Sequence, residues 1–568
     1  MSRVVRVLPD VPTLALDDGF LYTIGDDAPV GVGSTVRVPL GGRTVRGTVL
    51  AVGEGEPEGL KPVASLSPSL RQFDEPHLAL HRWVARYYVA PLAAVLRSAA
   101  PPNLPRSTAA IPPPVRGRGG RHHILTADHR AAVAAVVVET AEDRSVLVVC
   151  PTEQELEAIA AGLSTTRPTV VVRPSDAAAA ETAAWVTART TPGCVVLGTP
   201  RVATWPVAGL ATAICVDDGR RGHKSRQSPT LETRTVLGQR TRFEGVRLVT
   251  TGVVPTVGSI ANGAEIVAPG SGRRWGPVEV VDRNEDPPGS GLLGRRTEVV
   301  VAGAARTGAR VIVFTHRRGY APAFRCVACS EIRRCPACGT RATLTAACAR
   351  CGAPLEHCSA CGGSTFEPLG AAAGVVADRL RHLLGSAPVG LGPDHRIAVI
   401  TERDLPAVDP ADLAVVVDAD GLLLGPSYRS AEDGLRLLAR VATRVRPGSG
   451  HRCLVQTAVP THPVIEVLRR GDPRDWIEQT LAERAALGYP PAGELIVVEV
   501  RGDAADDPIG PLADSDAMVL GPLADGDARR WLVQGRDLGR VRDELRLVAR
   551  RIRDRGGEVR IDVDPLDL

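Results

Sequence analysis

The sequence of 568 residues contains very little lysine and few aromatic residues. Lys61 and Lys224 are the only lysines, so arginine supplies nearly all of the 68 basic side chains, and aromatic residues make up 3%. A formal net charge of +4 is too small to establish a nucleic-acid partner by itself. With 44% hydrophobic residues the composition is ordinary for a globular protein, and the length predicts several domains of about 100–200 residues each.

Long apolar runs are also missing. The run AAVAAVVV at 131–138 is far shorter than the ~20 residues that a membrane-spanning helix requires. Near the N-terminus, Arg, Pro and Asp interrupt the apolar residues before a secretory core can form. We therefore expect a soluble, cytoplasmic protein with no membrane partner.

The sequence contains no phosphate-binding P-loop. Such a loop needs two spaced glycines before Lys-Ser or Lys-Thr, because its backbone amides cradle the phosphates while the lysine neutralises them. Lys224 precedes Ser225, but the glycine spacing is absent. The stretch ICVDDGRRGHK (214–224) ends an apolar run at two acids, where a motor protein would hold Mg²⁺. We interpret Asp217 and Asp218 as acids that cap a strand in a surface loop, and we expect no catalytic or nucleotide-binding residues.

Eight of the twelve cysteines form four Cys-x-x-Cys pairs within 326–361. In a chain without a secretion signal this spacing indicates metal binding. Eight thiolates saturate two tetrahedral Zn²⁺ ions and leave no open position, so the sites would be structural. Redox thiols and iron–sulfur clusters are the competing interpretations. The predicted zinc ligands are Cys326, Cys329, Cys335, Cys338, Cys348, Cys351, Cys358 and Cys361.

Changes of pattern along the chain predict five segments of an α/β multidomain protein. Residues 1–105 show alternating strands followed by a helix, which indicates a β-rich domain. Residues 106–122 contain a Pro triplet and Arg-Gly repeats, which cannot build a core and indicate a linker. Fully apolar strands between helical stretches predict parallel sheets, covered on both faces, in 123–270 and 271–470. Residues 471–568 combine helices and strands as an α+β domain.

Two features of the predicted helices bear on packing. The last helix has apolar residues on one side and arginines on the others, so one side should pack. The arginines can form a solvated face or contact DNA phosphates, and both interpretations remain open. These arginines are Arg540, Arg542, Arg546, Arg550 and Arg553. Three aromatic residues at helical spacing are expected in the core, namely Trp83, Tyr87 and Tyr88.

Four longer stretches carry a resemblance to a known family. They are the cysteine block preceded by HRRGYAP (316–322), VDADGLLLGPSYRSAE (417–432), AERAALGYPP (482–491) and the terminal DVDP (562–565). Together they resemble the primosomal protein N′, or PriA, replication-restart helicases of bacteria, as a degenerate member of actinobacterial type. The resemblance implies an N-terminal domain that captures DNA 3′ ends, two RecA-like lobes of a degenerate superfamily 2 helicase, an inserted two-zinc module and a C-terminal DNA- or partner-binding domain. It also implies that the first cysteine pair shares zinc with the fourth, and the second with the third.

The chain departs from this family where active members contact nucleotide. The winged-helix domain is absent, and the Asp-Glu-x-His motif reads Asp217, Asp218, Gly219, Arg220. The resemblance therefore implies a nucleoid-associated replication restart protein that binds forked or single-stranded DNA and helps assemble the primosome, without ATPase or helicase activity. The partners it implies are primosome proteins, the replicative helicase or its loader, and single-stranded-DNA-binding protein. One alternative is a 3′-5′ DNA helicase with an unconventional nucleotide site, and another is a zinc-ribbon protein that binds only proteins.

By similarity, the family's pocket for a terminal nucleotide falls on four residues of the N-terminal domain. Phe20 or Tyr22 would stack on a base, Gly41 would form a turn, and Lys61 would approach a phosphate. The family has an aspartate at the position of Leu21. Leucine cannot accept a hydrogen bond from a 3′-hydroxyl, so the sequence leaves selection of a free 3′ end open.

Overall fold

The computed structural model describes most of the chain and divides it into two compact units. One unit comprises residues 1–269 and 477–568, and the other comprises residues 270–476. Among the described residues, none of the helices combines the length and apolar character needed to cross a bilayer. The described residues are 2–107, 109–268, 273–287, 290–316, 323–329, 331–337, 339, 342, 346–348, 351–369, 372–385, 387–425, 427–502, 509–510, 512, 517–525 and 528–567.

The N-terminal module is a five-stranded antiparallel sheet followed by two helices. Its elements are β1 (Ser2–Pro9), β2 (Phe20–Thr23), β3 (Thr35–Leu40), β4 (Arg43–Gly55), β5 (Ser65–Leu66), α1 (Glu75–Tyr87) and α2 (Leu92–Ala99). The strand order β2-β1-β4-β3-β5 places β2 at an edge. Valine residues at alternate positions of β1 and β3 point to one face and form the core of the sheet, because side chains alternate between faces along a strand.

The first lobe is a seven-stranded parallel sheet. Its strands are β6 (Arg121–Leu125), β7 (Ser145–Val149), β8 (Thr169–Val172), β9 (Val195–Gly198), β10 (Leu210–Cys215), β11 (Arg247–Gly252) and β12 (Glu265–Val267). Its helices are α3 (His129–Glu139), α4 (Glu153–Gly162), α5 (Ala178–Thr190), α6 (Thr233–Phe243) and α7 (Val257–Ala261). The order is β12-β6-β11-β10-β7-β9-β8. Every residue of β7 is buried, since α3 and α4 cover one face of the sheet and α5 and α6 cover the other.

The predicted linker is only partly separate from this lobe. The Gly117 N–H donates to the carbonyl of Glu244 at 3.3 Å, and the Gly119 N–H donates to that of Gly245 at 2.8 Å. A Cβ on Gly117 would lie 2.4 Å from the Gly245 carbonyl oxygen, so this approach requires glycine. The Arg-Gly repeat therefore docks on the first lobe and leads directly into β6.

The second lobe is a six-stranded parallel sheet with the cysteine segment inserted after its second strand. Its elements are β13 (Val278–Asp282), α8 (Arg295–Arg306), β14 (Val311–Phe314), α9 (Ala373–Leu384), β17 (Val389–Leu391), β18 (Ile397–Ile400), β19 (Leu413–Val416), α10 (Asp420–Leu423), α11 (Ser430–Ala442), β20 (Arg452–Thr457) and α12 (Pro463–Arg470). The order is β13-β20-β19-β14-β18-β17. The antiparallel pair β15 (Ala323–Cys326) and β16 (Phe366–Leu369) frames the insertion.

The C-terminal segment begins with a long helix and continues as a four-stranded antiparallel sheet. Its elements are α13 (Arg474–Leu487), β21 (Glu494–Arg501), β22 (Met518–Asp525), β23 (Ala528–Gly535), α14 (Gly539–Asp554) and β24 (Glu558–Val563). The order is β22-β23-β21-β24. The apolar side of α14 packs on one face of this sheet, against Ile496 and Val498; on the opposite face of β21, Leu495 and Val497 are buried and Glu499 is half-buried.

Two arginines of α14 correct the expectation of a solvated or DNA-contacting face. Arg542 is 4% exposed; its Nη1 donates to Glu494 at 2.9 Å and its guanidinium lies 4.2 Å from the Tyr87 ring centroid. Arg546 donates to the carbonyls of Ala85 and Ala90 at 3.1 and 3.2 Å. Both residues fasten α14 to α1 and the turn after it, and their partners there lie more than 400 residues away in sequence. No local pattern could reveal them.

The residues expected in the core are there. Tyr88 is 1% exposed, and Trp83 and Tyr87 pack half-buried against the same core. The single cysteines on apolar strands are fully buried, and burial raises the pKa of Cys453 to about 12. These single cysteines are Cys150, Cys194, Cys215 and Cys453.

Candidate DNA-binding and metal sites

The edge strand β2 presents one aromatic ring to solvent and buries another. Phe20 is 40% exposed and Leu21 42%, whereas Tyr22 is 4% exposed. The Tyr22 hydroxyl donates to the carbonyl of Pro39 at 3.2 Å, and its ring belongs to the core of the sheet. Phe20 is therefore accessible for stacking on a base, and Tyr22 holds β2 in place.

The other two predicted pocket residues lie close to β2 in the fold. The Lys61 carbonyl accepts a hydrogen bond from the Thr23 N–H at 3.0 Å, so exposed Lys61 adjoins the end of β2. Gly41 has φ +55° in the turn between β3 and β4, and no heavy atom lies within 4 Å of a Cβ built there. Since the Tyr22 hydroxyl reaches Pro39, the four predicted residues occupy one part of the module. Their assignment to a nucleotide pocket stays a prediction.

The first and fourth cysteine pairs meet in the inserted segment. Cys326, Cys329, Cys358 and Cys361 place their sulfur atoms within 4.8 Å of one another. The sulfurs of Cys326 and Cys361 are 3.5 Å apart, and those of Cys329 and Cys358 are 3.7 Å apart. A tetrahedral zinc with Zn–S bonds of about 2.3 Å separates its sulfurs by about 3.8 Å, so this group fits that ion.

The second and third cysteine pairs form the other group. Cys335, Cys348 and Cys351 bring their sulfurs within the same 4.8 Å limit, and Cys338 lies outside the described residues. The sulfurs of Cys335 and Cys351 are 3.5 Å apart. This combination of first with fourth and second with third pairs is the one that the family resemblance implies.

Glycines shape the turns that hold these sulfurs. Gly339, Gly352 and Gly362 have φ of +69°, +73° and +74°, a region that favours glycine. Each N–H donates to the carbonyl of the first cysteine of its pair at 2.8–2.9 Å. Hydrogen bonds, first from the Cys329 N–H and then from Ala328 and neighbouring thiols, lower the pKa of Cys326, whereas the pKa values of Cys329 and Cys361 are raised beside the other thiols. These groups can therefore hold metal ions.

Asp218 corrects the expectation of a surface loop at the end of β10. It is fully buried, and its Oδ2 accepts a hydrogen bond from the Thr256 hydroxyl at 2.7 Å and another from the Ser259 hydroxyl. Its Oδ1 lies 3.3 Å from Nε of Arg234 on α6. The carboxylate is thus surrounded by donors from the chain itself.

Asp217 is held in the same way by a second arginine. It is 2% exposed and adopts φ +52°, a strained conformation for a residue with a side chain. Nη1 of Arg220 lies 3.0 Å from the Asp217 carboxylate and 2.6 Å from that of Glu155 at the start of α4. The guanidinium therefore bridges two buried carboxylates at the carboxyl end of the sheet.

A carboxylate also occupies the helix terminus beside these acids. In open parallel sheets, phosphates bind at the N-terminus of a helix that follows a strand. At the start of α3, directly after β6, the Asp128 side chain accepts the Ala131 N–H at 3.0 Å. Thr251 on β11 connects the two places, because its hydroxyl accepts the Asp217 N–H at 3.1 Å and lies 2.9 Å from His129 Nδ1. We refer to Asp217, Asp218 and their partners as the strand-end cluster.

Sequence reasoning did not find several members of this cluster. Arg234, Glu155 and Thr256 come from three different helix starts and belong to no motif. The one available signal was Arg220 at the position where the family motif has histidine, because a new cation beside two acids predicts an ion pair.

Comparisons with known proteins identify relatives of the N-terminal module and of most of the chain. A family model described as the PriA 3′ DNA-binding domain (3′BD) matches residues 6–101. The replication restart protein PriA of Treponema pallidum is 24% identical over 87% of this chain and 86% of that protein. PriA of Synechocystis is 25% identical over 54% of this chain and 43% of that protein. The probable PriA of Mycobacterium leprae is 30% identical over 34% of this chain and 33% of that protein.

Solved structures of helicase-like proteins also match at low identity. RecG bound to a three-way DNA junction matches 73% of this chain and 50% of that chain, with 10% identity and a TM-score of 0.35. The Mycobacterium smegmatis helicase Lhr, bound to single-stranded DNA and AMP-PNP, matches 65% of this chain and 50% of that chain, with 12% identity and a TM-score of 0.34.

The fold and the N-terminal match define the class of protein. Two α/β lobes, each built on a parallel sheet, a match to a 3′ DNA-binding domain and an inserted cysteine module make this a DNA-binding protein with a helicase-like fold. Within that class, the chain is similar to the PriA family of replication restart proteins, both in residues 6–101 and, at 24% identity, over 87% of its length. The resemblance read from its motifs is confirmed.

Proposed function

We propose that this protein binds branched DNA at stalled or abandoned replication forks and helps assemble the primosome that reloads the replicative helicase, without hydrolysing ATP. Its N-terminal module would contact the end of a DNA strand through Phe20 and Lys61. The helicase lobes would serve as a scaffold for DNA and partners, which include the replicative helicase or its loader and single-stranded-DNA-binding protein.

The observation that carries the ATP-independent part is the self-contained strand-end cluster. A working site would leave carboxylates free for Mg²⁺ and helix-terminal amides free for phosphate. Here Arg220 and Arg234 engage the carboxylates, and the side chain of Asp128 caps α3. The absence of a P-loop lysine also supports the lack of ATP hydrolysis. Losing a positive side chain that stabilises the phosphates typically lowers the rate of phosphoryl transfer by several powers of ten.

We also propose that both cysteine groups hold zinc, with Cys338 as the fourth ligand of the second group. The cysteines would fix the fold of the insertion, and zinc bound by four thiolates has no position for substrate or water. This role is structural, so the insertion would present a rigid surface to partners or DNA.

The test is ATP hydrolysis by the purified, zinc-loaded protein, with and without forked DNA. We expect binding to the fork in a gel-shift or anisotropy assay and no DNA-stimulated turnover in the same preparation. A variant with Asp217→Asn and Asp218→Asn serves as the matched control, since a contaminating ATPase would remain unchanged in it.

Two outcomes would contradict the proposal in different ways. Fork-stimulated hydrolysis that disappears in the double variant would show that the lobes are a motor with an unconventional nucleotide site. Equal affinity for forked and for plain duplex DNA would remove the branched-DNA function and would favour a role in protein binding alone.

A further inference from the structure

A basic cleft lies on the face of the C-terminal sheet opposite α14, and none of the four N-terminal pocket residues lines it. One wall is the loop at 221–226, which follows the strand-end cluster, and the floor is formed by β21, β23 and β24. The cleft encloses about 340 Å³. All of these elements belong to the same compact unit of the molecule.

The strand register explains why charged side chains form the floor. Glu499 on β21 pairs with Arg530 on β23 and with Arg560 on β24. Its neighbours Val498 and Val500 point to the opposite face, where they are buried beneath α14. Because faces alternate along a strand, Glu499 and the two arginines share the face opposite α14.

Positive charge in the cleft exceeds what its acids neutralise. The Nη2 of Arg560 donates to the carbonyl of Arg226 at 3.4 Å, so these two exposed arginines are neighbours. In the part of the chain that the structure describes, neither of them has a carboxylate partner. Arg530 lies 3.9 Å from Glu499, but Arg501 already binds that carboxylate at 2.9 Å.

The other charges of the cleft are paired. Nζ of Lys224 lies 3.0 Å from Asp562, and it also donates to the Thr230 carbonyl at 2.7 Å. Arg221 binds Asp567 at 2.7 Å. The arginines at 226, 530 and 560 are therefore the groups left to bind an anion, and neighbouring like charges favour one that bridges them.

The lining also indicates which kind of anion fits. No aromatic side chain is present among the described residues that line the cleft, so bases have no stacking surface. Arginine binds phosphate oxygens in a bidentate fashion and is the side chain suited to such oxyanions. A site with these properties would contact the backbone and ignore the bases.

We propose that this cleft binds the phosphodiester backbone of single-stranded DNA through Arg226, Arg530 and Arg560. The inference rests on the proposed DNA-binding function and adds a second contact region, independent of Phe20 and Lys61. Binding there should depend neither on the base sequence nor on a free 3′ end, because the phosphates are the same along the whole strand.

The experiment measures the affinity of the full-length, zinc-loaded protein for single-stranded oligonucleotides at several salt concentrations. In the triple variant R226A/R530A/R560A we expect affinity to fall at least about tenfold, and the slope of log affinity against log salt to become shallower by about 2, as three lost phosphate contacts require. The control R173A/R381A/R470A removes the same charge from exposed arginines that pair with carboxylates elsewhere. It should retain the affinity and slope of the unmodified protein.

The possible outcomes distinguish failure of the cleft proposal from failure of the proposed function. An equal loss of affinity in both triple variants, or no loss in R226A/R530A/R560A, would contradict DNA binding by the cleft and leave the proposed function unaffected. Absence of DNA binding by the unmodified protein would instead overturn the proposed function. If inorganic phosphate or a polyglutamate peptide competes as well as an oligonucleotide of equal charge, the cleft is a general anion or acidic-peptide site and the DNA assignment is wrong.

Covalent mapping gives an independent readout. Crosslinking to an oligonucleotide that carries photoreactive groups on its phosphates should label peptides from 221–226 or 558–563 in the unmodified protein. The label should be lost in R226A/R530A/R560A while crosslinks to the N-terminal module persist. Labelling confined to the N-terminal module in both proteins would contradict the inference.

Discussion

The cysteine groups and the strand-end cluster both gather chemically active side chains, yet they differ in what completes them. The cysteines place thiols within 4.8 Å of one another, a spacing that suits a metal ion between them. The buried acids at 217 and 218 already have arginines and hydroxyls as partners. A site can therefore be recognised as able to take a ligand, or as already complete, by whether other residues of the chain pair with its buried polar groups.

The largest effect should follow from removing a metal ligand. Cys358→Ala should lower bound zinc from two ions to one per chain and unfold the inserted segment, because structural zinc contributes about 10–16 kcal/mol in small zinc domains. Zinc content by mass spectrometry of the native protein and hydrogen exchange over the insertion measure this. Cys453→Ala is the control, since Cys453 is buried on β20 and belongs to neither of the two cysteine groups. If Cys358→Ala still bound two zinc ions per chain, the cysteine groups would not differ from the strand-end cluster in the way described.

Next in size is the loss of one buried carboxylate from the strand-end cluster. Asp218→Ala leaves Arg234 without this partner and should lower the free energy of unfolding of the first lobe by about 3–5 kcal/mol. Urea unfolding followed through the buried Trp185 and Trp205 reports on that lobe. Asp218→Asn keeps the hydroxyl partners and isolates the charge, and exposed Asp143→Ala should be neutral. If Asp218→Ala is neutral too, the cluster does not stabilise the lobe.

Acid should weaken the contact between the N-terminal module and the first lobe. His81 of α1 is fully buried with Nε2 3.1 Å from the Thr204 carbonyl, and burial lowers its pKa from 6.5 to about 4. Because the unfolded chain takes up the proton first, stability should decline as pH falls from 6.5 to 4, by about 3 kcal/mol at most.

His81→Leu separates this effect from acid release of zinc, which also occurs in this range because protons compete for thiolates. The variant should show a flatter dependence of stability on pH than the unmodified protein, with zinc loss unchanged. An identical dependence in both proteins would exclude His81 as the titrating group.

The smallest expected effect is that of nucleotide. Adding Mg²⁺ and ATP should leave the melting temperature unchanged, whereas a ligand present at 100 times its dissociation constant would stabilise the folded state by about 2.7 kcal/mol. Returning zinc to chelated protein provides the positive control. A melting temperature that rises with ATP concentration would show that the strand-end cluster opens for nucleotide.

Sequence patterns predicted the sheets, the insertion and the cysteine chemistry because each depends on local spacing. Apolar strands between helices indicate a parallel sheet, and Cys-x-x-Cys pairs followed by glycine indicate tight turns that bind a metal ion. The roles of Arg542, Arg220 and Asp218 depended on partners supplied by other elements. A charged residue alone does not reveal whether it faces water, DNA or a buried carboxylate.

The same reasoning explains the mixed result for the N-terminal pocket. The motif located Phe20 and Tyr22 on one strand, but two residues apart on an edge strand they differ tenfold in exposure. The Tyr22 ring packs in the sheet core, and its hydroxyl donates a hydrogen bond to the Pro39 carbonyl on β3. Such a tertiary hydrogen bond has no signature in the strand's own sequence.

The docked glycines at 117 and 119 have a consequence for how the chain can be lengthened. Only the stretch from 106 to about 116 precedes the docked part, because the following residues already hydrogen-bond to the first lobe. Exposed segments with few backbone contacts are the places where an inserted domain disturbs least. A fluorescent protein or another folded domain should be accepted between the exposed residues 109 and 110, before Ile111 packs against the core and Arg116 donates to the Arg242 carbonyl. The same insertion a few residues after Arg116 would separate the first lobe from its entering strand.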